Sequence, residues 1–246
     1  MENIGFGLSF LAGVLSTLFV GFLTSGIKIL VNSQYKVQLL FTAFLLRNKY
    51  IRFSMAYLFK IKIENKYLLV KGGRINQYQP IGGVYKTFES AKNILNKYEV
   101  LDDEKIKIDN INKNDLRIRV KGKYAIKIIK WFKTFNNREV TVHREFFEEL
   151  IEPIEGGADS LASFNPEYLR TVITDLRKST YFDCNEILIY DIFDISLGDK
   201  IIKKLTGYMK NDTEKFVLCS YEDIEKEHIL LNNLSHKIGE HAKYIL

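Results

Sequence analysis

The stretch HREFFEEL, His143–Leu150, places three glutamates and an arginine within six consecutive positions, Arg144 to Glu149. On a helix, Glu145 and Glu149 stand four residues apart with Glu148 beside them, while Phe146, Phe147 and Leu150 offer apolar surface for packing. Carboxylates held this close repel one another unless water, arginine or a divalent cation compensates, and hard cations such as Mg²⁺ prefer such oxygen ligands. Arg144 can reach Glu148. The same pattern also serves as the solvated face of an amphipathic helix. On these residues alone, both readings stand.

The surrounding elements must position that helix. The segment FKIKIENKYLLVKGG alternates around Asn65 like two strands of a hairpin, with Phe59, Ile61 and Ile63 followed by Leu68, Leu69 and Val70. QYQPIGGVYK, Gln77 to Lys86, comes next, and its Pro80-x-Gly82-Gly83 is a tight turn with bare backbone that phosphate oxygens can approach. Thr87 to Asp115 reads as a short helix and a polar connection, DLRIRV as a strand, and KYAIKIIKWFKTF shows apolar residues at mixed spacing. Helix is expected from Glu139 through Glu152, then a buried strand at NEILIYDIFDI and an amphipathic helix at DKIIKKLTGYM. KFVLCS reads as a strand and YEDIEKEHILL as a final helix. Tyr50 to Leu246 is thus one mixed α/β domain.

The chain carries a net charge of +6, which suits anionic partners such as nucleotides, nucleic acid or lipid headgroups. Cys184 and Cys219 lack ligand-like spacing and read as reduced core residues, a disulfide or a zinc site being the alternatives. The histidines at 143, 228, 236 and 241 form no ligand pattern and default to surface positions.

From Ile4 to Ile27 no residue is charged, a run long enough to cross the ~30 Å hydrocarbon layer as a helix. No basic n-region precedes it, which weighs against a cleaved signal peptide. Between Lys28 and Arg74 ten basic residues face one acid, Glu64, so the following domain is expected on the cytoplasmic side of an inner membrane. Gly5, Ser9, Gly13, Thr17, Gly21 and Ser25 recur at every fourth position, a small-residue stripe suited to self-association in lipid. These patterns divide the chain into a transmembrane helix at 1–31, a juxtamembrane segment at 32–50 and a cytosolic domain at 51–246. Val37 to Leu46 is too short to span and reads as an interfacial helix or the domain's first buried helix.

The order of hairpin, Pro-x-Gly-Gly and Arg-Glu-Phe-Phe-Glu-Glu-Leu resembles the Nudix family. Arg144, Glu145, Glu148 and Glu149 match its RExxEE motif, and Gly82 and Gly83 resemble the glycine pair before it. The resemblance implies an α/β/α sandwich in which the three glutamates hold Mg²⁺ at a nucleoside diphosphate. Nearly fifty additional residues, about 87–135, form an insertion, and Asn136 stands where the family has a glutamate eight residues before the arginine.

Together with the N-terminal apolar run and the DLRIRV, WFKTF, EILIYDIF and IGEHAKYIL stretches, the chain is similar to the SMODS-associated Nudix proteins. These are membrane effectors of cyclic-oligonucleotide-based anti-phage signalling systems, CBASS. The resemblance implies a neighbouring cyclase, a cyclic di- or oligonucleotide messenger sensed by the Nudix-like domain, and damage to the host's own membrane. A receptor for such a messenger needs backbone N–H or cationic donors for phosphate and aromatic platforms for bases. Gly82 and Gly83 suit backbone approach, Arg74 and Lys127 phosphate charge, and Tyr124 or Trp131 stacking. A membrane-anchored Mg²⁺-dependent hydrolase of nucleoside diphosphate derivatives is the alternative, and a basic membrane adaptor a third. DNA is not an expected partner.

Overall fold

The computed structural model describes residues 43–246 apart from 74, 106–113, 155–164, 180 and 212–213. The expected transmembrane run Ile4–Ile27, its small-residue stripe (Gly5, Ser9, Gly13, Thr17, Gly21, Ser25) and Arg74 lie outside the described residues. Among the described residues no helix is long and apolar enough to cross a membrane.

A single strand organises the rest. β1 (Tyr50–Ile63) is buried without interruption from Ile51 to Phe59, because it is covered on both faces and paired on both edges. Near its start it pairs antiparallel with β6 (Arg117–Lys121), from Tyr50↔Lys121 to Ser54↔Arg117. Further along, the same edge takes β4 (Gly82–Val84), with Tyr57 opposite Gly83 and Leu58 opposite Gly82. The other edge runs parallel to β9 (Asn185–Ile195) through ten residue pairs, from Arg52↔Glu186 to Ile61↔Ile195. NEILIYDIFDI is a near-continuous apolar run for the same reason, since a strand beside a parallel neighbour is buried on both sides. β2 (Lys66–Lys71) closes the expected hairpin on β1 and carries β3 (Tyr78–Pro80) and β10 (Phe216–Cys219). β5 (Leu101–Asp102), β7 (Glu167–Ile173) and β8 (Arg177–Lys178) complete a ten-stranded mixed sheet.

The described residues of the 87–135 stretch build onto the main sheet and core. Their strands β5 and β6 extend the main sheet, and the helix Ala125–Phe132 buries Ala125, Ile128, Ile129, Trp131 and Phe132. The helix Asp199–Asn211 presents Ile201 and Leu205 to the core, as its amphipathic pattern requires. Both cysteines are unpaired, Cys219 buried and Cys184 half-buried.

The last expected helix is shorter than YEDIEKEHILL suggests. Ser220 caps Tyr221–Lys226 through a reciprocal capping box with Asp223, and Glu227 then turns left-handed at φ 59°. HILL becomes a strand instead, β11 (His228–Leu231), paired with β12 (Leu234–Lys237) across Asn232 and Asn233, both at positive φ. Asparagine tolerates that conformation, so an Asn-Asn turn between apolar residues favours a hairpin over a continued helix. His241 also departs from a surface position. It lies half-buried with its ring stacked on Tyr190 at 6.0 Å, and burial holds its pKa down to about 4.

Candidate functional site

The acidic helix starts at His143, four residues later than its pattern suggests, and changes character as it proceeds. After His143–Glu145 the turns widen into a π-helix over Phe146–Ile151, where Glu152 N–H donates to Phe147 O, five residues back, at 2.8 Å. Phe146, Leu150 and Ile151 are buried, and the Phe146 ring meets Phe59 of β1 edge-on at 6.1 Å. This packing clamps the helix against the sheet and turns Glu145 and Glu149 toward the β4 edge. A wider turn lets the residue three positions on fall further behind a full rotation, so Glu148 leaves the face shared by its neighbours. Its side chain is 52% exposed, against 16% for Glu145.

The paired glycines receive those carboxylates. A Cβ on Gly83 would stand 2.1 Å from Glu145 Cγ and 2.6 Å from its Oε1, and one on Gly82 would stand 2.2 Å from the Tyr57 carbonyl oxygen. Gly82 N–H donates to Glu149 Oε2 at 3.3 Å. Bare backbone here is thus a steric requirement of the helix–sheet junction. Gly83→Ala is expected to displace Glu145 and cost about 1–3 kcal/mol, the range for overpacking. Gly82→Ala should cost more, because the clash is with the backbone of β1 and no rotamer relieves it. Urea-unfolding midpoints of the two variants would test the ranking.

Arg144 holds the site from the other side. It forms a close ion pair with Glu145, lies 3.6 Å from Glu148 Oε2, and donates from Nη2 to the Val84 carbonyl at 3.3 Å. Its Nε is 3.7 Å from Glu139, whose other oxygen accepts from Lys86 N–H at 3.3 Å. Asn136, the residue in the motif position eight before the arginine, is exposed on the loop. Glu139 supplies the carboxylate beside Arg144 in its place, five residues before the arginine rather than eight. Tyr57 is a further neighbour that sequence reasoning missed. Its buried hydroxyl has no hydrogen-bond partner among the described residues, and burial followed by the Glu145 charge pushes its pKa up.

Burial also raises the pKa of Glu145, although the Arg144 charge beside it acts in the opposite direction. Glu149 is pushed up to about 7, first by burial and then by the neighbouring Glu145 charge. Two carboxylates that resist ionisation together are donors a hard cation would suit. Among the described residues, however, no three acidic, histidine or cysteine side chains converge as ligands. Glu148 is half-exposed on the outer side of Arg144, and Arg144 and Gly82 occupy the other two. The donor chemistry therefore fits Mg²⁺ while the third expected arm is displaced.

The remaining candidates lie elsewhere. Tyr124 and Lys127 are neighbours, with the ammonium 5.6 Å from the ring centroid, but Tyr124 O–H donates to Glu99 at 3.0 Å. Both sit by the start of β1, whereas Gly83 pairs with Tyr57, seven residues and roughly 23 Å further along the strand. Trp131 is buried in the helix Ala125–Phe132. Gly82 and Gly83 are thus the expected nucleotide contacts that the fold brings beside the acidic residues.

No curated protein matches the chain. The SMODS-associated NUDIX domain matches Tyr50 to Leu246, beginning at the first residue of β1 and including every sheet strand and the acidic helix. With that match covering most of its length, and with RExxEE packed on paired glycines of a mixed α/β sheet, the chain belongs to the SMODS-associated NUDIX domain family.

Proposed function

We propose that this protein is an effector of a CBASS antiviral system. Its Nudix domain binds a cyclic di- or oligonucleotide made by a partner cyclase, and binding promotes assembly of N-terminal transmembrane helices in the inner membrane. Family membership supports the link to cyclic nucleotide signalling. The observation that favours sensing over turnover is the acidic helix itself: Glu145 is paired with Arg144, Glu149 accepts from Gly82, and Glu148 is half-exposed beside the same Arg144. A messenger can drive assembly only by binding the assembled state more tightly, and a symmetric one can do so by bridging two protomers. Membrane disruption and abortive infection follow from closure of the small-residue stripes.

The test incubates the purified full chain with Mg²⁺, a panel of cyclic nucleotides and a set of nucleoside diphosphate derivatives, followed by mass spectrometry of what is retained or consumed. Recovery of an intact cyclic nucleotide is the expected result. Gly13→Leu with Gly21→Leu should then abolish toxicity in cells while retention is unchanged. Consumption of a diphosphate compound, lost in Glu149→Gln, would replace this reading with that of a Mg²⁺-dependent hydrolase. That reading has its own support in a Glu149 carboxyl that titrates near neutrality.

A further inference from the structure

A second charged surface lies at the opposite end of β1 from the acidic helix, where residues 43–50 enter the domain. Phe44 and Leu45 are 75% and 61% exposed, and the chain after them is fastened down. Gly122 N–H donates to Lys49 O at 3.0 Å, and Lys123 N–H to Arg47 O at 3.1 Å. A Cβ on Gly122 would stand 2.4 Å from the Leu46 carbonyl oxygen, so this seat too requires glycine. The entry segment is thereby held against the β6 end rather than hanging from it.

Cations cluster where this entry segment is fastened to the 121–127 stretch. Arg47, Lys49 and Lys127 are exposed, Lys121 lies 5.6 Å over the Tyr50 ring, and Lys123 lies 4.6 Å over Tyr124. Among the described residues, the carboxylate bonded within this cluster is Glu99, which Lys121, Lys123 and Tyr124 bond together and which they hold well below the usual carboxylate range, at about 2. Five cations and one anion leave an excess of four positive charges around two exposed apolar side chains. Arg119 beside them is already committed to Glu104 at 2.7 Å.

We propose that this face of the folded domain docks on the anionic surface of a lipid bilayer, with Phe44 and Leu45 inserted at the headgroup boundary. Exposed aliphatic and aromatic groups within a basic ring suit the boundary between headgroups and acyl chains. A nucleic-acid groove would instead line up several open aromatic faces for bases, whereas here exposed Phe44 is accompanied by aliphatic Leu45, and Tyr98 and Tyr124 pack on each other, tilted, at 5.5 Å. Position along the chain supports the same occupant. Ile27, the last residue of the charge-free run, precedes Ala43 by fifteen intervening residues, 28 to 42. Extended, such a tether reaches about 50 Å, so an anchor permits contact without enforcing it, and the surface decides the orientation. Docked this way, the domain holds its acidic helix about 20 Å from the anionic leaflet, well beyond a Debye length. The inference leans on the anchor reading only for proximity.

The full chain would be mixed with vesicles of phosphatidylcholine alone or with a third phosphatidylglycerol, and hydrogen exchange followed at residues 43–50 and 117–127. Co-sedimentation with the neutral vesicles reports the anchor separately. Exchange in both segments is expected to slow several-fold with the anionic lipid only, and to recover in 0.5 M NaCl. Lys49→Glu with Lys127→Glu, neither bonded to a carboxylate among the described residues, should abolish the slowing, since each cation near such a surface contributes about five-fold in partition. Phe44→Ser with Leu45→Ser should weaken it while preserving its salt dependence. Unchanged exchange in β9 would show that both variants fold. Equal exchange in the two lipids would overturn the proposal. So would slowing that follows protein density in neutral vesicles, which indicates a second copy, or slowing that appears only when single-stranded RNA is added.

Discussion

Arg52→Ala should be the most destabilising single substitution in the domain, costing about 3–5 kcal/mol of a total near 5–15. Arg52 is buried, and its fork spans two buried acids: Nε donates to Asp103 Oδ2 at 2.8 Å and Nη1 to Glu186 Oε2 at 2.9 Å, with all three side chains no more than 6% exposed. The Phe182 ring covers the guanidinium at 4.6 Å. Removing the cation strands two carboxylates, of which Glu186 keeps only Arg177 at 3.4 Å and Asp103 keeps the Lys105 N–H at 3.0 Å. Arg52→Lys retains charge but not the planar fork and should fall between wild type and alanine. Urea unfolding followed through Trp131, the single tryptophan, measures all three proteins. An alanine variant within 1 kcal/mol of wild type would show that the buried ion pairs carry little of the stability.

The second large effect is a stabilisation at alkaline pH by Glu149→Gln. Glu149 titrates at about 7 in the fold, against 4.5 for an ordinary glutamate. Between those values the folded protein holds a proton that the unfolded chain has released, so stability falls as pH rises through the window, and above it the whole cost is present. Glutamine carries no charge and can still accept from Gly82. The variant should match wild type at pH 4.5 and exceed it by about 2 kcal/mol at pH 8, after allowance for partial exposure. Parallel stability curves for the two proteins between pH 5 and 8 would remove the argument. Mg²⁺ that stabilised wild type at pH 8, and not the variant, would show that a cation relieves the same repulsion.

The parts of this molecule visible in its sequence are those set by local spacing. The 59–70 hairpin declares itself by alternation around Asn65, and NEILIYDIFDI by an apolar run too short for a spanning helix and too continuous for a half-exposed strand. KYAIKIIKWFKTF escaped assignment because its basic residues interrupt a stripe that becomes clear only when Ala125, Ile128, Ile129 and Phe132 are seen on one buried face. At the site, RExxEE and Pro-x-Gly-Gly were legible and do meet. The widening of the helix begins at Phe146, whose ring packs on Phe59 from a strand more than eighty residues earlier, and no motif encodes that contact. Glu139 is hidden by register, because the family pattern has its glutamate eight residues before Arg144, at 136, and not five. The Arg52 cluster draws on residues 51 and 134 positions apart, and nothing in the composition of any single segment announces it.

The ten-pair parallel ladder between β1 and β9 also dictates when the protein comes into being. Ten of the fourteen β1 residues wait for a partner made 134 positions later, so at the ordinary pace of translation roughly ten seconds separate the synthesis of the two strands. During that interval the residues before Asn185 have been made while the domain lacks a complete central sheet. Closure of so long a loop carries an entropic cost and is slow, and it places formation of this ladder late in synthesis. A ribosome that stalls before Asn185 therefore releases a chain without a competent acidic helix seat, since Tyr57, the residue opposite Gly83, gains its second edge only from Asp191.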